Sequence, residues 1–163
     1  MLSQILAQTP IWVFALFAAL VALGLSQMRT REVPIARAAI LPLVMVALSL
    51  AGTLNAFPGS RWALASWAAG LILTAWLLSL KPLSNGTVFH AASNTFKLPG
   101  SAVPLALMMG IFFTKYAVGA SIGINAELVQ KPAFAAGVSA AYGLFSGAFL
   151  ARGIRLWRIS RTA

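Results

Sequence analysis

The chain contains no cysteine, only two acidic residues and a single histidine among its 163 residues. Without cysteine there is no disulfide, no thiolate metal ligand and no cysteine nucleophile. One histidine, His90, with Glu32 and Glu127 supplies neither a zinc tetrahedron nor a recognisable catalytic triad. The composition therefore predicts no catalytic site, no metal and no cofactor.

Apolar sequence is what the chain has in abundance. Hydrophobic residues make up 60% of it, charged residues 9%, and the mean hydropathy is +0.89. A helix needs ~20 mostly apolar residues to cross ~30 Å of hydrocarbon, and five stretches have this character: 11–26, 35–54, 62–80, 103–121 and 133–151. We expect an all-α integral membrane protein, a single bundle of five transmembrane helices.

The basic residues predict the orientation of this bundle. Nine of the twelve lie in one alternate set of connections, whereas Arg61 and Lys131 lie in the other set and Lys115 lies inside the fourth span. Lys and Arg collect in loops on the cytoplasmic side. We therefore expect a bacterial inner-membrane protein with its N-terminus outside and its C-terminus in the cytoplasm. The larger set comprises Arg29, Arg31, Arg37, Lys81, Lys97, Arg152, Arg155, Arg158 and Arg161.

The distribution of basic residues also bears on nucleic-acid binding and on whether the first span is a secretory signal. They are dispersed among the loops instead of lining one face, so we predict no nucleic-acid partner despite the net charge of +10. Residues 1–9 contain no Lys or Arg, unlike the basic start of a secretory signal. We therefore expect the first span to be retained as a helix.

The segment from 81 to 101 is the longest connection. Its β-prone runs, 87–89 and 95–98, flank the Ala91–Asn94 turn candidate. This pattern predicts a short cytoplasmic hairpin between the third and fourth spans, with an irregular loop as the alternative. A hairpin alone is marginally stable, so we expect it to rest on helix ends or on a partner.

Small residues recur at four-residue spacing in three spans. Such faces let helix backbones approach closely in lipid. The partner of each face is either another helix of this chain or a second copy of it. The faces are Ser66, Gly70 and Thr74; Gly119 and Gly123; and Ser139, Gly143 and Gly147.

Lys115 is the most informative polar residue, because it interrupts an apolar run inside the fourth span. A lysine near the centre of a span costs on the order of 2.5–3.5 kcal/mol. Either its stem snorkels to the outer headgroups, or its ammonium faces a polar cavity, where it binds an anionic solute or relays protons. Glu127 and Asn55 are expected at the same outer level, as companions in a substrate site. Glu127 either forms an ion pair with Lys115 or is an ordinary solvated acidic residue of a loop.

The C-terminal segment spaces arginines every three residues among apolar residues, from Arg152 to Arg161. We expect it to continue the fifth helix into the interface, where the arginines contact anionic lipid headgroups. Docking of a cytoplasmic partner is the alternative.

Several local patterns together resemble a known group of proteins. They are TPIWVFAL at 9–16, the arginine-rich first connection, LPGS at 98–101, Pro104-Leu105, and FFTKY at 112–116. The chain resembles an uncharacterised family of small five-span bacterial inner-membrane proteins. The resemblance implies that location and layout, but no substrate, cofactor or catalytic residue.

Two functions fit these features. The first is a transport or channel component for a small solute or ion, acting as a homo-oligomer because five helices make a narrow bundle. The second is a non-transporting accessory subunit or assembly factor of a larger membrane complex.

Overall fold

The computed structural model describes residues 10–82 and 86–162, and within them the protein is predominantly helical. Three short strands and a 3-10 helix over Ala126–Gln130 join the α-helices. In chain order the elements are α1 (Ile11–Ser26), β1 (Arg31–Pro34), α2 (Ile35–Ala56), α3 (Arg61–Ser79), β2 (Val88–His90), β3 (Thr95–Leu98), α4 (Val103–Ile124) and α5 (Pro132–Thr162).

Four of the helices, α2 to α5, are long and apolar enough to cross a membrane. The first, α1, is apolar but has 16 residues, or roughly 24 Å of helix. Membrane crossing by α1, and with it the five-span count, stays a prediction. The expectation about residues 1–9 falls outside the described residues.

The last helix is the longest element. With 31 residues it extends roughly 46 Å, well beyond the predicted span 133–151. The apolar run ends near Ala151, but arginine, leucine and tryptophan after it sustain a helix. The tail is therefore a continuation of α5, as its spacing predicted.

The centre of the bundle is the pair α3 and α5, which have the most extensive contact of any two elements. A β-carbon on Gly70 would lie 2.7 Å from the carbonyl oxygen of Ala140. One on Gly147 would lie 2.5 Å from the carbonyl oxygen of Leu71. Gly143 similarly meets the backbone of Trp67. The small-residue faces of the third and fifth spans therefore pack against each other within one chain.

The second helix packs against α5 through a proline and a glycine. Pro42 lies inside α2, where it removes a backbone hydrogen bond. It is buried, and a β-carbon on Gly153 would lie 2.8 Å from its Cγ. The close approach at this point brings the start of the arginine-rich tail against α2.

The first and fourth helices form a second, peripheral pair. Leu105 packs against Gly24, and the Phe17 and Phe112 ring centroids are 5.2 Å apart. Among their described residues, α1 fully buries only Gly24 and α4 only Pro104. These two helices are thus the least enclosed part of the bundle.

The connection between α3 and α4 contains the hairpin strands β2 and β3, joined by a turn over residues 91–94. Phe89 is opposite Phe96, with ring centroids 4.9 Å apart. The sequence analysis missed β1, which pairs antiparallel with β3 to give the order β1-β3-β2. A four-residue strand ending in proline has little local signal, and its partner lies more than sixty residues away.

The sheet is attached to the bundle by a small apolar cluster. Val33, Phe96 and Leu98 are buried together with Leu156 of α5, and Phe96 is completely enclosed. Gly100 then packs on the backbone of Met28 at the end of α1. The first connection, the hairpin connection and the C-terminal part of α5 therefore meet at one end of the bundle.

The opposite end is closed by the two remaining connections. Phe57, which follows α2, lies against Phe134 of α5 with ring centroids 6.2 Å apart. Val129 of the 3-10 helix packs on the same cluster. Arg61, the first residue of α3, and Lys131, which precedes α5, both lie at this end of the bundle.

Candidate functional site

Lys115 lies five residues after the point where α4 approaches α5. At that point a β-carbon on Gly110 would lie 2.7 Å from Cε1 of Phe145. The Thr114 hydroxyl is occupied by a 2.7 Å hydrogen bond that it donates to the Gly110 carbonyl. Beyond this contact, the side chain of Lys115 extends from α4 toward its neighbouring helices.

The ammonium of Lys115 is directed between helices. Its Nζ lies 5.7 Å from the ring centroid of Tyr142 on α5. On the other side, Nζ is 3.7 Å from the point that a β-carbon on Gly52 of α2 would occupy. A cation over an aromatic face is attracted by the ring quadrupole. The Lys115 side chain as a whole is exposed, so whether its ammonium faces a polar cavity or snorkels to the headgroups stays a prediction.

Lys115 borders a cavity on each side. The larger is an open groove of about 460 Å³ between α1 and α4, from which the side chain stays accessible. The smaller, about 120 Å³, lies between α2, α4 and α5. Polar groups in the groove include Lys115 and Tyr116, and those around the smaller cavity include Ser49, Tyr142 and Ser146.

Several hydrogen-bonded polar side chains lie at or next to the wall of the smaller cavity. Ser49 donates to the Tyr142 carbonyl at 3.1 Å and accepts a 2.8 Å bond from Trp67 Nε1. Thr53, one turn later, donates to the Ser49 carbonyl at 3.1 Å. Ser139 Oγ is buried without a hydrogen-bond partner among the described residues. Polar side chains from three helices therefore meet beside Lys115.

Ser49, Trp67 and Tyr142 were not predicted as members of this site from the sequence. Trp67 was a visible signal, because it stands inside the third span, away from the headgroup level that tryptophan favours. Ser49 and Tyr142 had no such signal, since isolated serine and tyrosine residues are common in apolar helices. Their association depends on how α2 and α5 pack.

Glu127 and Asn55 are not brought together with Lys115. Glu127 is exposed in the 3-10 helix, where its backbone N–H donates to the Asn125 side chain at 3.1 Å. Within residues 10–82 and 86–162, no ion pair joins it to Lys115. Asn55 is exposed near the end of α2 and lines neither cavity. For Glu127 the geometry agrees with the solvated-acid alternative; contact of either residue with a substrate stays a prediction.

The majority of the basic residues form a second concentration of charge at the sheet end. Two tail arginines have intramolecular acceptors there: Arg155 reaches the Pro82 carbonyl at 3.4 Å and Arg158 the Ser79 carbonyl at 3.2 Å. Cations near the last carbonyls of α3 complement the helix dipole. Arg161 stacks on Trp157, 4.7 Å from the ring. These contacts are within the chain; binding of the tail to lipid headgroups stays a prediction.

His90 lies in β2 at this same end and is exposed. Nowhere in the described ranges do three His, Asp or Glu side chains come close enough to hold a metal ion.

Comparison with known proteins places the chain in one family. The match to DUF6622 covers residues 1–163. The chain belongs to this family of unknown function. No curated protein and no solved structure matches it. The resemblance to an uncharacterised family is thus confirmed over the whole chain, and the family assigns no activity to the residues described above.

Proposed function

We propose that this protein is a multi-pass inner-membrane protein that passes a small anionic solute through its bundle, with Lys115 as the binding cation. The observation that carries the proposal is the position of the Lys115 ammonium between Gly52 and Tyr142. A hydrocarbon-facing lysine would extend toward the headgroups instead. An ammonium between helices within a membrane span is suited to bind an anion.

The two cavities beside Lys115 support a path for such a solute. The groove between α1 and α4 is open to the surroundings, and Lys115 separates it from the smaller cavity in front of Ser49 and Ser146. Hydroxyl groups can replace part of the hydration of an anion as it leaves water. The arrangement thus offers an entry groove, a cation and a polar interior in sequence.

The orientation in this proposal is N-terminus outside and C-terminus in the cytoplasm. It is supported by the concentration of nine basic residues at the sheet end and only Arg61 and Lys131 at the opposite end. Lys and Arg favour the cytoplasmic side. The groove beside Lys115 then opens toward the outer half of the membrane.

A homo-oligomer is part of the proposal, because one narrow bundle encloses little space. The small-residue faces of α3 and α5 are already occupied by each other, so they are not available to a second copy. A β-carbon on Gly119 or Gly123 of α4 would meet no atom of the described residues within 4 Å. In the proposed oligomer, a second copy packs on this face of α4.

The test is anion uptake by liposomes that contain the purified protein. A panel of inorganic and small organic anions is offered to wild type, Lys115→Met, Lys115→Arg and Lys131→Met. Lys131→Met is the matched control, because it removes the same charge from an exposed loop. We expect uptake by wild type and Lys131→Met, partial uptake by Lys115→Arg, and none by Lys115→Met. Equal uptake by Lys115→Met and wild type contradicts the proposal.

The second candidate is a non-transporting accessory subunit of a larger membrane complex. It is favoured by the weak enclosure of α1 and α4, which expose large side chains such as Ile11, Trp12 and Phe113. A partner helix could cover this pair. Affinity purification from native membranes in mild detergent tests it: a stoichiometric partner, together with a dispensable Lys115, favours this function over transport.

A further inference from the structure

The sheet end of the bundle contains a cavity that the proposed transport path does not use. It has a volume of about 140 Å³ and lies between β1, α2, α4 and α5. Three arginines contribute to its lining: Arg31 from β1, Arg37 from α2 and Arg152 from α5. They are separated in sequence by up to 121 positions, so the fold alone brings them together.

These arginines are not neutralised by the carboxylates of the described residues. Glu32 also lines the cavity, yet none of Arg31, Arg37 and Arg152 forms an ion pair with it or with Glu127. Instead, Arg31 donates a 2.8 Å hydrogen bond to the neutral Gln27 side chain. Burial, followed by the neighbouring charge of Arg37, lowers the pKa of the Arg31 guanidinium. The cavity thus contains several mutually repelling cations and a single acid.

The position of Arg152 is determined by close helix packing. Gly153 lies against the buried Pro42 ring, so α5 approaches α2 without an intervening side chain. The adjacent Arg152 is half-buried and borders a second cavity of about 310 Å³ as well. An arginine held here is directed into the molecule, unlike an arginine on a solvated surface.

Apart from Gln27 and Glu32, the rest of the lining is apolar. Met108, Phe149 and Leu156 belong to it, beside the three arginines. A guanidinium presents paired N–H donors that match the oxygens of a phosphate, and it does so best away from bulk water. Basic pockets between membrane helices on the cytoplasmic side are suited to lipid headgroups. The combination of cations with apolar walls therefore fits an anionic phosphate group attached to an apolar or compact body.

We propose that the cavity at Arg31, Arg37 and Arg152 is a binding site for an anionic phosphate group, carried either by a membrane lipid or by a soluble compound. This site is distinct from Lys115, which lies toward the opposite end of α4. It also differs from general attraction of the tail to headgroups, because it needs Arg31 and Arg37 from the first connection. Binding there ties β1, α2 and α5 together.

The experiment measures the unfolding temperature of the purified full-length protein in a nonionic detergent. Inorganic phosphate, phosphatidylglycerol and the zwitterionic phosphatidylcholine are titrated separately. We expect a saturable rise with phosphatidylglycerol or inorganic phosphate and a smaller effect of phosphatidylcholine. A response to phosphatidylglycerol alone identifies a lipid site; a response to inorganic phosphate identifies a site for a soluble phosphate compound. No response to either overturns the proposal.

Variants separate the cavity from general surface charge. Arg152→Gln and, independently, Arg31→Gln each remove one lining cation, whereas Arg29→Gln removes an exposed cation from the same connection. We expect the lining variants to bind about tenfold more weakly or worse, the size of a lost charge-assisted hydrogen bond, and Arg29→Gln to bind as wild type. Arg152→Lys should recover part of the affinity. If Arg29→Gln weakens binding as much as the lining variants that fold, the site is not this cavity.

Discussion

Gly143 of α5 lies so close to Trp67 of α3 that a β-carbon on the glycine would collide with the tryptophan carbonyl oxygen. The contact joins the two helices that form the centre of the bundle. It also holds Trp67 where its indole N–H reaches Ser49 of α2. The pair therefore links the tight helix packing to the polar interior beside Lys115.

Replacing Gly143 with alanine is expected to destabilise the protein. The added methyl group forces α3 and α5 apart, a cost of about 1–3 kcal/mol for overpacking. Gly137→Ala is the matched control in the same helix, because a β-carbon there meets no described atom within 4 Å. Thermal unfolding in detergent should show a lower midpoint for Gly143→Ala alone. Equal midpoints would mean that the helices are not in contact at Gly143.

Trp67→Phe tests the polar interior. The substitution removes the donor to Ser49, at a cost of about 0.5–1.5 kcal/mol, and the smaller ring adds a loss of packing. Trp76→Phe on the same helix is the control, since Trp76 is 60% exposed. The free energy of unfolding should fall for Trp67→Phe and change little for Trp76→Phe. A larger loss for Trp76→Phe would be inconsistent with the described packing.

Lys115 and Glu127 are expected to be energetically independent. They form no ion pair within the part of the chain that the structure describes, so the effects of Lys115→Met and Glu127→Gln on unfolding should add within about 0.3–0.5 kcal/mol. A double-mutant cycle measures this. A Glu127→Gln variant that is rescued by Lys115→Met would instead indicate the pair that the sequence allowed.

Phe96→Ala should loosen the sheet from the helices. Phe96 is 0% exposed between Val33, Leu98 and Leu156, and removal of a buried phenylalanine costs about 3–5 kcal/mol. Hydrogen exchange of residues 88–98 should accelerate in this variant. Val88→Ala, at a residue that is 48% exposed, should leave exchange at wild-type rates. Unchanged exchange in both variants would show that the sheet does not depend on this cluster.

The positions of the helices could be predicted from the sequence, because a run of apolar residues is a local feature of the chain. The observed helix bounds, for example Ile35–Ala56 for a predicted 35–54, differ by a turn or less except at the end of α5. The helix continues there through arginine-rich sequence. Arginine favours helix formation, but a search for apolar runs does not count it.

The features that could not be predicted from the sequence depend on contacts between distant segments of the chain. Strand β1 exists because Arg31–Pro34 pairs with Thr95–Leu98. Likewise, Lys115 was identifiable as unusual, but its neighbours Gly52 and Tyr142 lie on other helices. Only the packing of α2 and α5 against α4 determines the direction of its ammonium.

The proposed function requires position 115 to face a water-accessible cavity, and the absence of cysteine allows this to be measured directly. Lys115→Cys is compared with Ala117→Cys, which lies at nearly the same depth on α4, is exposed and lines neither cavity. Both variants, in liposomes, are treated with a small anionic, membrane-impermeant thiol reagent, which reacts with the thiolate in water. We expect rapid modification of Lys115→Cys and slow modification of Ala117→Cys. Equal rates, or an unreactive Lys115→Cys, would contradict the proposed function.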